Sequence, residues 1–322
     1  MPVNQIITRT DAGDGIIPQE YANEIFKAAP ESSVVMRFGR QAQTLSRKQK
    51  NVPVESVLPL AYFVSGDTGL KQTSKMQWAN KQLVAEELAV IIPIPEAVLD
   101  DADYDLWGEV RPKIAEAFGR AFDRAVLFGE NAPGTWPTAI VPDATAKGKA
   151  VVTGGDLYAD LLGENGVIAL VERSGYLPNG HVAQMVMRGK LRGLRSTQGE
   201  PIFTTSLQAP NTYELDGAPL IFPRNGALTG KVSGAGADEP LLITGDWSQL
   251  VWAFRQDITY KILDQAVISD SNGAVVLNLA QQDAVALRAV LRIAWQLPNP
   301  INALDSSANR YPFSALFAEA QS

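Results

Sequence analysis

The chain has 322 residues, with 28 Lys and Arg against 35 Asp and Glu, giving a formal charge of −7. Tight duplex binding needs clustered cations that displace counterions, and the chain as a whole does not offer them. It has no cysteine and a single histidine, His181; this excludes disulfides, thiol chemistry and Cys-based zinc sites, and leaves little room for a His-based metal site or a Ser–His–Asp triad.

The length exceeds what one small core organises, so two lobes are expected. No apolar run is long enough to span a bilayer. The opening MPVNQIITRTDAGDG lacks the basic-then-apolar layout of a signal peptide.

Residues 1–16 are polar and rich in Gly and Asp, which predicts an extended or mobile arm. Pro18 opens a short helix with Ile17, Tyr21 and Ile25 on one side, and Pro30 closes it. SVVMRF (33–38) and NVPVESV (51–57) are candidate strands on either side of Arg47, Lys48 and Lys50. Between residues 59 and 82, Gly66, Asp67 and Gly69 mark a turn flanked by possible strand. Polar residues dominate there, yet Tyr62, Phe63, Met76 and Trp78 are large and apolar. An isolated two-stranded arm is marginal in water. It persists if a neighbouring subunit covers it.

From Leu83 to Ile94 the residues are mostly β-branched and apolar, with Glu86 and Glu87 the only charges. This predicts one strand, partly buried on both faces and ended by Pro93 and Pro95. Next comes the longest amphipathic helix, 105–128. Trp107, Val110, Ile114, Phe118, Ala121, Ala125 and Phe128 form its apolar stripe, with Phe122 also in the core. Glu109, Lys113, Glu116, Arg120, Asp123 and Arg124 supply polar positions around it, and Gly129 stops it. Either the regular helix starts near Gly108, leaving Pro112 in the first turn, or Asp105 caps it and Pro112 kinks it.

Residues 130–150 are turn-rich and predict a lobe boundary. Asp156 caps a helix running towards Arg173, weakened by Gly163 and Gly166. HVAQMVM is a short strand, RGKLRGLRS a brief basic helix or turn, and YELDGAPLIF a strand, Asp-Gly turn and strand. Residues 226–236 form a Gly-rich loop. Residues 241–264 predict three short strands, punctuated by Gly245–Asp246 and Gln256–Asp257. Asn272–Gly273 is a hairpin turn signal. Residues 283–296 favour helix by propensity, but Val285, Leu287, Ala289, Leu291, Ile293 and Trp295 alternate strictly with the rest, so a strand is expected.

Signals for chemistry are sparse. Asp100, Asp101, Asp103 and Asp105 resemble the start of a calcium loop, but Leu106 replaces its glycine and Pro112 its bidentate glutamate. Capping acids are the preferred reading. Neither common phosphate-binding glycine motif occurs. Arg188, Lys190, Arg192 and Arg195 form the densest basic cluster, read as a solvated face rather than a contact with nucleic acid or with an acidic neighbour. His181 reads as an ordinary strand residue. No catalytic, cofactor-binding or metal-binding residue is expected.

The strand running into PEAVLDD, then DLWGEV, then a helix with FDRAVLFG, resembles the major capsid proteins of tailed double-stranded DNA phages, the Hong Kong 97 type. Arg288 and Arg292 on a late strand, followed by Pro298 or Pro300 and a final short strand, fit the same pattern. The resemblance implies an α+β fold with an N-terminal arm (1–34) and an extended β-hairpin loop with flanking strands (35–88). It implies a peripheral domain (89–149 and 255–294) holding the spine helix, and an axial domain (150–254 and 295–322). Hexamers and pentamers would close into an icosahedral head in the virion, assembled in the host bacterial cytoplasm, around double-stranded DNA held without sequence-specific binding. Portal and decoration proteins are possible partners, no membrane is implied, and a separate scaffold protein or none is expected.

In this family the extended loop reaches over an adjacent subunit, which gives Tyr62, Phe63, Gly66, Asp67, Lys71, Lys75 and Trp78 intersubunit roles. The family commonly places an acid just before the hairpin glycine; here Ser65 precedes Gly66 and Asp67 follows it. Some members link a loop lysine to a neighbour's asparagine; for Lys71 and Lys75, interlocking without covalent bonds is expected. Two rival readings are an encapsulin-type nanocompartment shell and a soluble enzyme using Asp/Glu acid–base pairs.

Overall fold

The computed structural model describes residues 33–59, 61, 63, 71, 73–100, 106–195, 213–229, 239–270, 272–306 and 308–319. The expected arm and first helix, the turn at Gly66 to Gly69, and Asp101, Asp103 and Asp105 lie outside them. So does the Gly-rich loop beyond Thr229.

The described chain opens with α1 (Val34–Phe38) and β1 (Arg40–Gln41). A hairpin follows, β2 (Gln49–Val57) and β3 (Gln77–Val84). Then come β4 (Glu86–Pro95), α2 (Glu96–Asp100) and α3 (Leu106–Phe128), the spine helix. After α4 (Ile140–Ala146) and β5 (Ala150–Val152), α5 (Leu157–Leu162) and α6 (Val167–Arg173) lead to β6 (Gly180–Ala183) and α7 (Met185–Gly193). The rest is strand: β7 (Tyr213–Leu215), β8 (Ala218–Ile221), β9 (Pro240–Gly245), β10 (Val251–Leu263), β11 (Val267–Ser269), β12 (Val275–Asn278), β13 (Ala284–Gln296) and β14 (Phe313–Phe317).

Two sheets carry this α+β fold. One has four strands in the order β1-β10-β13-β4, the other six in the order β5-β14-β9-β6-β8-β7. The period-two reading of 283–296 is right. Leu287, Ala289, Leu291, Ile293 and Trp295 share a core cluster with Ile114, Phe118, Phe122 and Val126 of α3. The same cluster reaches Phe313, Ala315 and Phe317 of the six-stranded sheet. That sheet has a second cluster, in which Leu161, Val167, Ile168, Met187 and Leu191 from α5, α6 and α7 meet Leu220, Leu242 and Leu316.

Several expectations are corrected. Residues 83–94 are not one strand. The chain passes from β3 to β4 at Ala85, and the two strands belong to different sheets. Nor is β4 buried on both faces, since Glu87, Ala89 and Ile91 are exposed. Pro93 sits inside β4, opposite Ala286. It is tolerated because β4 is an edge strand, where a missing amide breaks no ladder. The spine helix starts before Pro112 and runs through it, so Pro112 is not in the first turn. Residues 130–150 contain a helix, α4, which buries Ile140, Val141 and Ala144. The helix expected from Asp156 to Arg173 is two, parted by Gly163 to Gly166, although Asp156 caps the first by accepting from Tyr158 and Ala159 N–H. HVAQMVM is strand only to Ala183, and then α7 begins. Residues 251–263 form one strand. Gln256 marks shifts in its register with β13, not an end.

SVVMRF is helix rather than strand, and the reason lies ninety residues on. Asp123 of α3 is fully buried, not one of the polar positions around the stripe. Its carboxylate accepts from Ser33 Oγ at 2.6 Å, Val34 N–H at 2.8 Å and Val35 N–H at 3.0 Å. Ser33 Oγ in turn accepts from Met36 N–H at 3.1 Å. Three orphan donors of a first helical turn are thereby satisfied, which overrides the strand preference of the two valines.

Burial pushes the Asp123 carboxyl up to about 6, against hydrogen bonds from Ser33, Val35, Val34 and Asn225 that favour the charged form. Asp123→Ala leaves those buried donors unpaired and should cost about 3 kcal/mol, with a smaller loss for Asp123→Asn, read by denaturant unfolding. The sign of the pH effect follows. Between about 4 and 6 the folded chain holds a proton that the unfolded chain has released, so this group's contribution to stability rises as pH falls through 6. Asp123→Asn should lack that component of the slope.

Candidate intersubunit surface

The β2–β3 hairpin is antiparallel, with Lys50 opposite Leu83, Pro53 opposite Asn80 and Glu55 opposite Trp78. Its base is fastened. Ala85 N–H donates to Lys48 C=O at 2.8 Å, Trp136 Nε1–H to Val84 C=O at 3.0 Å, and Gln296 Nε2–H to Gln82 C=O at 2.8 Å. Leu45, Leu83 and Ala85 pack there against Val251, Ala253 and Ala294. Trp136 is itself held edge-on between Phe122 and Trp295, with ring centroids at 6.0 and 6.4 Å.

Beyond the base the hairpin leaves the body. Every residue of β3 from Gln77 to Gln82 is exposed, on both faces. In β2 only Val54 is buried. Trp78 is 63% exposed, Phe63 is fully exposed, and Met76 and Val57 are open as well. One backbone bond, Ile301 N–H to Glu55 C=O at 3.1 Å, steadies the middle of β2. Two strands with so little of their surface covered are marginal alone.

Charge is segregated in the same way. Residues 47–84 hold six Lys or Arg and two Asp or Glu, net +4, while the remainder holds 22 against 33, net −11. The hairpin is a basic arm on an acidic body. Lys81, near its base, has its pKa lowered first by desolvation and then by Lys147.

Of the expected contact residues, Phe63, Lys71, Lys75 and Trp78 lie on this arm and are exposed. Tyr62, Gly66 and Asp67 lie outside the described residues. Of the expected spine-packing residues, Ile114, Phe118 and Phe128 are buried in the main core and Val110 packs against it. The Trp107 side chain is outside the described residues. Sequence reading missed Trp136 and Gln296, which fasten the base. The indole of Trp136, in a segment read as turns, offered no periodic signal.

The remaining candidates resolve as structure. His181 is fully buried, with Nδ1 2.7 Å from Thr244 Oγ1. Desolvation pushes its pKa down to about 4. On α7, Lys190 and Arg192 face solvent, and Arg188 stacks over Tyr213 at 5.2 Å. Among the described residues no group of three or more His, Cys, Asp or Glu could hold a metal. A cleft between α3 and β4 is lined in part by Glu86, Arg120, Arg124 and Glu130, of which Arg124 pairs with Glu130 at 3.3 Å and Glu86 with Lys48 at 3.2 Å. Among the described residues no helix is long and apolar enough to cross a membrane.

Comparison with known proteins gives this arrangement its context. Residues 13–304 match the model of the phage capsid family. The chain is 28% identical over 287 residues to the major capsid protein of Staphylococcus phage 80alpha, covering 88% of this chain and 82% of that one. It is 24% identical to a probable major capsid protein of Mycobacterium phage D29, covering 87% and 86%. Among solved structures, a chain from Microbacterium phage Oxtober96 superposes with a TM-score of 0.75 at 32% identity, covering 98% of this chain and all of that one. The capsid of a native GTA particle shares the fold, with a TM-score of 0.60 at 18% identity and coverage of 96% and 93%. This chain belongs to the phage capsid family.

Proposed function

We propose that this chain is the major capsid protein of a tailed phage, of the Hong Kong 97 type, and that its work is mechanical. Copies group as hexamers and pentamers and close into an icosahedral head around double-stranded DNA. The spine helix and four-stranded sheet form the peripheral domain, and the six-stranded sheet with α5 to α7 forms the axial domain. The subunit assembles in the host cytoplasm and resides in the virion, with no catalytic site or cofactor of its own. The observation that carries the reading is the β2–β3 hairpin, exposed on both faces along β3 and tipped by Phe63 and Trp78. Such an arm is stable when a neighbouring copy covers it, and heterologous contacts of this kind build closed shells when the rotation closes. Kinship with phage capsid proteins over nearly the whole chain supports the phage head over a cellular nanocompartment.

Negative-stain electron microscopy of the purified chain tests this. Closed shells or six-fold rings are expected, and filled shells should protect DNA from nuclease. Small monodisperse particles alone, even with the neighbouring genes' products present, overturn the reading. A cargo enzyme inside the shells would point to the nanocompartment instead. Trp78→Ser should leave unfolding of the free subunit within about 0.5 kcal/mol of the parent, because the side chain is 63% exposed, yet reduce the yield of closed shells. With Lys71 and Lys75 unlinked, shells should dissolve on a denaturing gel into a single 34.7 kDa band. A ladder of multimers contradicts that.

A further inference from the structure

One face of the four-stranded sheet lies on the spine helix; among the described residues the other is covered only at its ends. At one end Leu45, Leu83 and Ala85 close over Val251, Ala253 and Ala294. At the other, Leu277 and Leu279 of the β11–β12 region close over Ala284 and Ala286. Between them the register sets out a window of three cross-strand rows: Lys261–Arg288–Ile91, Thr259–Val290–Ala89 and Gln256–Arg292–Glu87. Seven of these nine residues are exposed, and Val290 and Arg292 are partly so.

The chemistry of the window is unusual for a free surface. Arg292 is answered by Glu87, which accepts from Nη2 at 2.8 Å and from Nε at 3.1 Å. Lys261 and Arg288 are not answered. They sit directly opposite each other on the ladder, and neither has an acidic partner among the described residues. Like charges directly opposite one another weaken a sheet. Beside them Ile91 is 42% exposed. The free chain therefore holds a repelling pair of cations on a partly apolar surface, in a position where any neutral residue would cost less.

We propose that this window is a docking surface for an acidic segment of a second copy of this chain. The inference rests on the shell-forming reading above. Three cations against one acid make the window positive, whereas the chain as a whole is −7, so a neighbour's surface is complementary on average. The window also borders the hairpin base on the same sheet face, which makes it continuous with the proposed intersubunit arm. Nucleic acid fits less well. Tight duplex binding takes several phosphate contacts, about six to ten in salt-sensitive complexes, and Ile91, Val290 and Ala89 have nothing to offer a phosphate. A polypeptide uses both halves: carboxylates meet Lys261 and Arg288, and apolar side chains cover Ile91. Complementary charge of this sort sets register and association rate more than bulk affinity.

Lys261→Glu separates the two roles of the residue. It turns the repelling pair into an attractive one, so the free full-length subunit should unfold at the same temperature as the parent or a higher one. The same change neutralises the window's excess charge, so assembly followed by light scattering should slow by about tenfold at low salt, a difference that shrinks as NaCl screens it. Arg288→Glu should behave alike. Assembly at the parental rate, or a slowing that only tracks a fall in unfolding temperature, overturns the proposal. Normal assembly with less encapsidated DNA overturns it too, by making the window a nucleic-acid surface. Should the parent itself form no shells, the capsid reading fails first, and that result is distinct from the others.

Discussion

Asp123 places a carboxylate where no solvent reaches it, and the arrangement of both sheets depends on how it is answered. It takes the side chain of Ser33 and the amides of Val34 and Val35, so α1 is pinned to the middle of the spine helix. The far end of α1 is pinned to the other sheet. Phe38 stacks on Trp247 at 5.4 Å, Trp247 meets Phe313 of β14 edge-on at 5.1 Å, and its indole N–H donates to Gly180 C=O of β6. One turn of helix thus links the two sheets. Hydrogen bonds to a charged acceptor contribute about 1.5–3 kcal/mol each, but a buried charge also carries a desolvation cost, visible here in the raised carboxyl pKa. The net gain is modest; the gain in position is larger. The next residue, Arg124, donates to Gly226 C=O and to Thr229, which holds the loop after β8 at the same place.

The hairpin depends on a second junction, at Ala85. Up to Val84 the chain pairs with β2; from Glu86 it pairs with β13. Only a chain that changes partners there can send one strand into the body and the other out of it. Trp136 makes the change rigid, since its N–H takes the last hairpin carbonyl while its ring fills the space between Phe122 and Trp295. A floppy arm would pay ordering entropy at every contact with a neighbour. An arm fastened by backbone and indole bonds at its root has paid part of that in folding.

Much of this was legible in the sequence, for identifiable reasons. The strict alternation from Val285 to Trp295 named a strand because one face had to be apolar throughout. Asp216–Gly217 and Asn272–Gly273 named turns because they need positive φ, which Asp216, Gly217 and Gly273 adopt at 50°, 73° and 82°. Asp156 named a helix start because its carboxylate reaches the amides two and three residues on. What failed was non-local. Ser33 to Phe38 reads as a strand until a carboxylate from residue 123 satisfies its amides. Residues 140–146 read as turn until burial against the core makes a short helix worthwhile. The break at Ala85 carries no local mark, because Leu83 to Ile92 contains no glycine or proline and the apolar residues continue on either side of Glu86 and Glu87. Trp78 and Phe63 stood out as oddities, but only the exposed hairpin gives the oddity a direction.

Charge placement joins these features into one argument about assembly. A subunit that must remain soluble alone and adhere to copies of itself cannot rely on apolar surface without limit, since large exposed patches aggregate. Segregated charge offers a way round this. An acidic body keeps free subunits apart through net repulsion. In the proposed assembly, a basic arm and a cationic window would supply local attraction at particular places on that body. Both features carry an internal cost in the lone chain. The hairpin leaves Trp78 in water, and the window sets Lys261 against Arg288. Costs placed at exposed positions, rather than in the core, do little to the fold and are relieved only by a partner. On this view the free subunit is locally frustrated where its neighbours will sit, and the closed shell is the state in which arm and window are both satisfied.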